Sequence, residues 1–281
     1  MTRALFLFFI FIFLPYSGAH AVDVVFDRIV KNNTIRCGYF SWPPYISKDP
    51  NTGQLSGINY DIMEAVGKNL GLKIDWIAEI GVGETVTALN TGKFDVMCAT
   101  LWPDPARVRN LTLTDATFYS AVHAFTRAGD TRFDGDLAKA NRADVKLAVI
   151  DGDVGQYLAA EKLPLASVAA LPQTASGGEL LIQVVSKKAD LVLVDRALVN
   201  DFLKTNPGTL RAVKNIPVVR VFGEHVVVAP GENRLRDMLN IALEQLVNDG
   251  VIADITARYT QKYSSEFYPP RSGVNGVSRS P

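Results

Sequence analysis

Residues 57–99 read GINYDIMEAVGKNLGLKIDWIAEIGVGETVTALNTGKFDVMCA, and this stretch decides the fold. Apolar side chains at helical spacing predict a helix over residues 60–70, and Gly71 ends it as a C-cap. After it we expect a strand, a helix and a second strand, over residues 73–77, 84–90 and 94–99. Strands that alternate with helices are typical of a parallel sheet with crossover helices.

The same alternation continues on both sides of this stretch. Upstream, residues 35–39 predict a first strand, and the two prolines of residues 42–45, WPPY, then force a loop. Downstream, residues 145–150 and 191–194 predict strands, each followed by a helix. The clearest amphipathic helix lies near the end, where apolar side chains share one face: Leu235, Met238, Leu239, Ala242, Leu243, Leu246 and Val247.

The composition excludes several classes of protein. The 281 residues include 29 Lys+Arg and 29 Asp+Glu, and this balance lacks the basic excess of a nucleic-acid binder. The 3 histidines, at positions 20, 123 and 225, are scattered, and 2 cysteines cannot make a disulfide-rich scaffold. We therefore expect two globular domains with no metal, no cofactor and no nucleic-acid partner.

The first residues have the pattern of a secretory signal peptide. Arg3 precedes residues 4–14, which contain no polar side chain, and residues 19–21 form an A-x-A cleavage site. A membrane anchor needs about 20 apolar residues, and a proline and a glycine interrupt this run too early. We predict a signal peptide over residues 1–21, cleaved after Ala21, and export of a soluble protein to a bacterial periplasm.

The two cysteines allow two states. Export makes a Cys37–Cys98 disulfide possible, because the periplasm is oxidising. Both residues lie inside strand-like runs, however, and buried cysteines behave as small hydrophobic side chains. We expect two free thiols.

Candidate binding residues follow from the predicted sheet. Ligands of open α/β sheets bind at the carboxyl ends of the strands. The strands that end near residues 39, 99 and 194 are followed by aromatic, hydroxyl and charged side chains, and a glycine-containing turn at residues 151–155 precedes a helix N-terminus, which favours anions. The candidate ligand-binding residues are Trp42, Tyr45, Thr100, Trp102, Arg107, Asp153, Val154 and Asp195.

Short motifs occur in a fixed order along the chain: GINYDIM at 57–63, LNTGKFDV at 89–96, DPAR at 104–107, KADLVLVD at 188–195 and LVNDG at 246–250. Together they resemble the signatures of family 3 extracellular solute-binding proteins, the periplasmic receptors of polar amino-acid ABC importers. The corresponding family patterns are G-x-x-x-D-(L/I), L-x-x-G-(K/R)-x-D-(V/A), T-x-E-R, G-x-x-D-A-x-x-x-D and L-x-x-D-G-x-x-x-x-I-x-x-x-Y. The resemblance covers roughly residues 35–260.

The resemblance implies an α/β protein with the two-lobed, type II periplasmic-binding-protein fold. Two crossover strands join the lobes, and the second lobe is inserted in the first. We place lobe 1 at residues 22–120 plus 222–262 and lobe 2 at residues 121–221. A tail over residues 263–281, rich in proline and glycine, is expected to be disordered. The ligand is expected between the lobes, which close over it by a hinge motion.

The same resemblance assigns roles to two charged residues. Arg107 stands for the arginine of T-x-E-R, which binds the ligand's α-carboxylate, and a guanidinium fork suits a carboxylate. The alternative interpretation is that Arg107 is a solvated surface arginine beside Arg109. Asp195 stands for the aspartate that binds the α-ammonium, but an aspartate before a helix is also a good N-cap, and both roles are compatible.

Aromatic residues complete the expected site. Trp42 or Tyr45 is expected to stack on the ligand side chain, with core packing or loop rigidity as the alternative. Trp102 departs from the family, which has Thr or Ser there to bind the carboxylate; otherwise Thr100 supplies that hydroxyl. An aromatic pocket of Trp42, Trp102 and either Phe118 or Tyr119 would prefer a flatter or more apolar solute.

Three functions remain as hypotheses. The leading one is a monomeric, non-enzymatic receptor that captures a small zwitterionic or anionic solute for an ABC permease. The second is a periplasmic enzyme that resembles cyclohexadienyl dehydratases, but those carry a catalytic glutamate where this chain has Gln156. The third is a sensory or accessory protein that docks on a membrane receptor or a periplasmic oxidoreductase system.

Overall fold

The computed structural model describes residues 24–271. The first part of the chain forms, in order, α1 (Val24–Asn32), β1 (Thr34–Tyr39), β2 (Ser47–Lys48), β3 (Leu55–Ser56), α2 (Ile58–Leu70), β4 (Lys73–Glu79), α3 (Thr85–Asn90), β5 (Val96–Leu101), α4 (Pro105–Asn110) and β6 (Thr112–Arg127). The middle part forms β7 (Lys146–Ile150), α5 (Val154–Lys162), β8 (Ser167–Leu171), α6 (Gly177–Val185), β9 (Leu191–Asp195) and α7 (Arg196–Thr205). The last part forms β10 (Leu210–Ala212), β11 (Arg220–Val228), α8 (Asn233–Asn248), α9 (Val251–Tyr263) and β12 (Phe267–Tyr268).

Two groups of parallel strands are joined by two long antiparallel strands. The strand order is β4-β1-β5-β11-β6-β9-β7-β8. β1 pairs in parallel with β4 and β5, and β7 pairs in parallel with β8 and β9. β6 and β11 pair with each other, and each also pairs with one of the two groups. This is the predicted two-lobed α/β fold with two crossover strands. The predicted lobe boundaries, at residues 120/121 and 221/222, fall inside β6 and β11 and stay a prediction.

The strongest helix predictions are confirmed. In α2 the apolar face is buried, and Gly71 ends the helix with a positive φ of 67°, which lets its N–H reach the last carbonyl oxygens. In α8 the residues at helical spacing are buried as expected: Leu235, Leu239, Ala242, Leu243 and Leu246. They pack in one apolar cluster with α2, so these two helices cover the same face of the lobe 1 strands.

The prediction of two free thiols is wrong. Cys37 and Cys98 form a disulfide, with their Cα atoms 5.5 Å apart. Cys37 lies on β1 and Cys98 on β5, and these strands pair in parallel with Cys37 opposite Val96. A position inside a strand therefore favours the bond here, because neighbouring strands bring the two side chains together in the apolar interior.

The expected disordered tail at residues 263–281 is also wrong in its first part. Tyr263 ends α9, and the chain then turns to add β12 to the edge of β6, where Phe267 lies opposite Ser120. Phe267 is buried against Tyr45 and Phe118. This segment is thus part of the lobe 1 core. Residues 272–281 lie outside the described residues.

The predicted signal peptide, residues 1–21, also lies outside the described residues. Between residues 24 and 271, no helix has the length and the apolar character that a membrane span requires.

Candidate functional site

A cavity lies at the carboxyl ends of β1, β5 and β9, and the empty space within its lining, together with the part that opens to solvent, is about 400 Å³. It brings together all the candidate residues except one: Trp42, Tyr45, Thr100, Trp102, Arg107, Asp153 and Asp195. It adds Phe40, Val82, Leu101 and Glu224, which were not among the candidates. Because the lining comes from both strand groups and from β11, the cavity lies between the predicted lobes.

Val154 is the exception. Its side chain is buried in the apolar cluster of lobe 2, with Leu158 and Val149, and does not line the cavity. It is the first residue of α5. The first turn of α5 points Val154 into the core, while the preceding Asp153 faces the cavity.

Arg107 is buried, with 6% of its surface exposed, which contradicts the alternative of a solvated surface arginine. It sits on α4, whose N-cap is Asp104. Its Nε lies 3.3 Å from an Asp104 oxygen, and its Nη2 donates to Asp153 Oδ1 at 3.0 Å and to the carbonyl of Gly152 at 3.2 Å. Its Nη1 donates to the carbonyl of Trp102 at 3.2 Å. Arg107 therefore already holds one carboxylate from across the cleft.

Asp195 ends β9 and caps α7, as the N-cap alternative expected. Its Oδ1 accepts a hydrogen bond from the Leu198 N–H at 2.8 Å. Its Oδ2 accepts a longer one, 3.3 Å, from Nε1 of Trp42 in the opposite lobe. Burial raises the pKa of Asp195 to about 6, although these hydrogen bonds favour the ionised form. The proposed contact with a ligand ammonium stays a prediction.

Glu224 is the residue that sequence reasoning missed. It lies on β11 and is only 3% exposed. Its Oε1 accepts hydrogen bonds from Trp102 Nε1 and Ser120 Oγ, and its Oε2 accepts one from Thr100 Oγ1, all at 2.7 Å. Burial raises its pKa to about 7, and the charge of Asp195 adds to this shift.

This arrangement explains the departure at Trp102. The indole is not free to fill the cleft, because it donates to Glu224 and stacks on Phe222, with ring centroids 5.4 Å apart. Thr100 is likewise committed to Glu224 and to Asn59. Neither side chain points its donor at Arg107, so both positions serve the buried carboxyl group and not a carboxylate beside the arginine.

The ring of Tyr45 packs in the core, as the alternative role expected, and stacking on a ligand stays a prediction. Its ring stacks on Phe118, which lies behind it as part of the core, while Tyr119 is partly exposed to solvent. The hydroxyl lies beside Asp195 and Ser120, close enough to interact with both, but neither contact has the geometry of a well-formed hydrogen bond. Burial and the nearby carboxyl groups raise the pKa of Tyr45 well above its usual value. A buried hydroxyl without a well-formed hydrogen bond is costly, so this hydroxyl marks a polar contact point on the cavity wall.

Comparison with known proteins gives the family. Residues 35–262 match the family model of bacterial extracellular solute-binding proteins, family 3. The chain belongs to this family. An L-arginine-binding protein of Pseudomonas aeruginosa is 25% identical over 253 residues, which span 88% of this chain and 95% of that protein. An L-cystine-binding protein of Bacillus subtilis is 25% identical over 226 residues, which span 78% of each chain.

Solved structures of an amino acid-binding protein and of a solute receptor share the fold of this solute-binding protein. An ancestral amino acid-binding protein, described as a precursor of cyclohexadienyl dehydratase, has a TM-score of 0.72 at 24% identity, and the match covers 83% of this chain and 98% of that one. A solute receptor for L-cysteine from Neisseria gonorrhoeae also has a TM-score of 0.72, at 18% identity, with coverage of 84% and 94%.

The lobes of this solute-binding protein are in contact across the cleft. Gly83 N–H donates to the Gln173 carbonyl at 3.4 Å, and Gly81 packs so closely on the same segment that a Cβ there would overlap the Gln173 carbonyl oxygen. The Arg107–Asp153 ion pair and the Trp42–Asp195 hydrogen bond span the same gap. The described conformation is therefore closed.

Proposed function

We propose that this protein is the periplasmic binding component of an ABC importer and that it captures a small, amino-acid-like zwitterion between its lobes without changing it chemically. Residues 1–21 would direct its export and be removed. A monomer suffices for this role, since both walls of the cavity come from one chain.

One observation carries the proposal: Arg107, buried at the cleft, binds the carboxylate of Asp153 from the other lobe. Arginine recognises carboxylates through paired N–H donors, so a ligand carboxylate would take the position that Asp153 occupies in this closed conformation. Asp195 lines the same cavity and offers an anion for the ligand ammonium. Opposite charges on the two walls of the cavity suit a zwitterion.

The relatives support the class of solute. The curated relatives described above are named as binding proteins for L-arginine and L-cystine, both of which are amino acids. The dehydratase alternative has less support, because Gln156 is exposed and uses its side chain to fix the turn at Gly152 and Asp151.

Binding of the proteinogenic amino acids, measured by isothermal titration calorimetry, tests the proposal. The protein should first be unfolded and refolded to remove any solute carried from the cell. We expect one or a few amino acids to bind. Arg107→Lys keeps the positive charge beside Asp104 and Asp153 but loses the planar fork, so affinity should fall about tenfold or more.

Arg109→Lys is the matched control, because Arg109 lies on the same helix and is exposed. It should leave affinity unchanged. Binding of no amino acid, or equal affinity in the two variants, would contradict the proposal. The importer is tested separately by the neighbouring genes: permease and ATPase genes support transport, whereas sensor-kinase or dehydrogenase genes support the sensory or accessory alternative.

A further inference from the structure

The charges that line the cavity are not balanced. One cation, Arg107, faces three carboxyl groups, those of Asp153, Asp195 and Glu224. The arginine is already neutralised by Asp104 and Asp153. Within residues 24–271, no Lys or Arg side chain forms an ion pair with Asp195 or Glu224, so two buried carboxyl groups have no counter-ion in the protein.

The carboxyl group of Glu224 is held in place by neutral donors. Trp102 and Ser120 occupy its Oε1, while Oε2 has the single donor Thr100 and keeps one acceptor position. Thr100 is itself fixed by Asn59, and β11 is paired on both sides, so the group cannot swing away. A carboxyl group that neutral donors hold in place is positioned to accept a hydrogen bond from a charged donor.

The buried hydroxyl of Tyr45, whose contacts with Asp195 and Ser120 lack good hydrogen-bond geometry, is a second sign of a ligand. It is 5% exposed, lines the same cavity and lies close to both Asp195 and Glu224. A donor group that reaches this corner would donate to the hydroxyl oxygen of Tyr45 and to the free acceptor position of Glu224 together. An anion would instead meet two carboxyl groups in a region of low dielectric, which is strongly unfavourable.

We propose that Glu224, supported by Thr100, Ser120 and Trp102, is the receptor for a cationic group of the solute, an ammonium or a guanidinium at the end remote from Arg107. The inference rests on the proposed function and narrows it from amino acids in general to solutes with an additional positive charge. Burial of the uncompensated carboxyl group raises its pKa to about 7, and a bound cation would remove that penalty.

The test compares three probes that separate the two ends of the solute. L-lysine and L-norleucine differ only in the terminal ammonium, and putrescine carries ammonium groups but no carboxylate. In calorimetry on refolded wild-type protein, L-lysine should bind roughly 10- to 100-fold more tightly than L-norleucine. Glu224→Gln, which preserves shape and hydrogen-bonding capacity, should abolish that ratio and weaken putrescine binding. Glu244→Gln, an exposed substitution on α8, should change neither.

The outcomes separate this inference from the proposed function. Equal binding of L-lysine and L-norleucine in the wild type, or an unchanged ratio in Glu224→Gln, overturns the cation receptor and leaves amino-acid binding intact. Binding of putrescine in a Glu224-dependent manner, with no amino acid bound, overturns the proposed function and supports the receptor. If none of the three probes binds, the receptor is overturned.

Discussion

Glu224→Gln should stabilise the protein at alkaline pH and not at acidic pH. The carboxyl group is buried in the cavity wall, and its pKa rises from an ordinary 4.5 to about 7. In the unfolded chain it ionises near 4.5. Between these two values the folded state binds a proton that the unfolded state has lost, so the free energy of unfolding falls as the pH rises through this window.

The size of the effect follows from the shift. A rise from 4.5 to about 7 corresponds to about 3 kcal/mol of stability that is present below pH 4.5 and lost above pH 7. Glutamine does not ionise, and its amide can still accept from Trp102 and Ser120 and donate to Thr100. At pH 8 the variant should therefore be more stable by up to about 3 kcal/mol, which for a chain of this size raises Tm by roughly 6–12 °C.

Thermal unfolding of solute-free protein at pH 4.5 and pH 8, followed by circular dichroism, measures this difference. Glu244→Gln removes an equivalent charge from an exposed position on α8 and controls for the change in net charge. The Tm advantage of Glu224→Gln over the wild type should be near zero at pH 4.5 and should appear at pH 8. An advantage that stays constant or shrinks as the pH rises would refute the assignment of a raised pKa to Glu224.

Two further predictions concern the closed form and the disulfide. Gly81→Ala adds a methyl group that overlaps the Gln173 carbonyl when the lobes are closed. Gly81 has a φ of −74°, which alanine adopts without strain, so the substitution should impair only the closure of the lobes. Solute affinity should fall at least about tenfold while Tm without solute changes little; an unchanged affinity would count against the closed geometry. Replacing Cys37 and Cys98 together by Ser should cost about 4 kcal/mol, given their separation of 61 residues, and reduced wild-type protein should show a similar loss in Tm.

Local periodicity allowed the helices to be predicted. Features that depend on the pairing of segments distant in sequence could not be predicted in this way. The apolar positions of α2 and α8 are spaced within each helix, so a window of sequence contains the whole signal. β12 has no such signal: its two residues become a strand only because the edge of β6 is available to pair with them. The disulfide has the same origin, since no local pattern shows that β1 and β5 are neighbours.

The residues of the candidate site also differ in whether the sequence could predict them. Arg107 and Asp195 could be predicted from their positions near the carboxyl ends of strands that face the cleft: Asp195 is the last residue of β9, and Arg107 lies on α4, the helix that follows β5. Glu224 lies inside the crossover strand β11, which runs antiparallel to β5 and enters the cavity from the opposite direction. A signal was nevertheless present. Phe222, Glu224 and Val226 alternate as buried residues along β11, and an acid in that buried phase is rarely tolerated without a purpose.

The charge of the cavity, and not that of the chain, limits the solute. The sequence analysis left both a zwitterion and an anion open as the solute, and a formal net charge of zero over 281 residues does not decide between them. Among the described residues that line the cavity, Arg107 is the only cation, and most of its donors are already used by Asp104, Asp153 and two carbonyl groups. A purely anionic solute would have to displace Asp153 and then remain beside two buried carboxyl groups. A zwitterion with an additional cationic group also displaces Asp153, but its cation pairs with the buried carboxyl group of Glu224, and this difference argues against the anionic alternative.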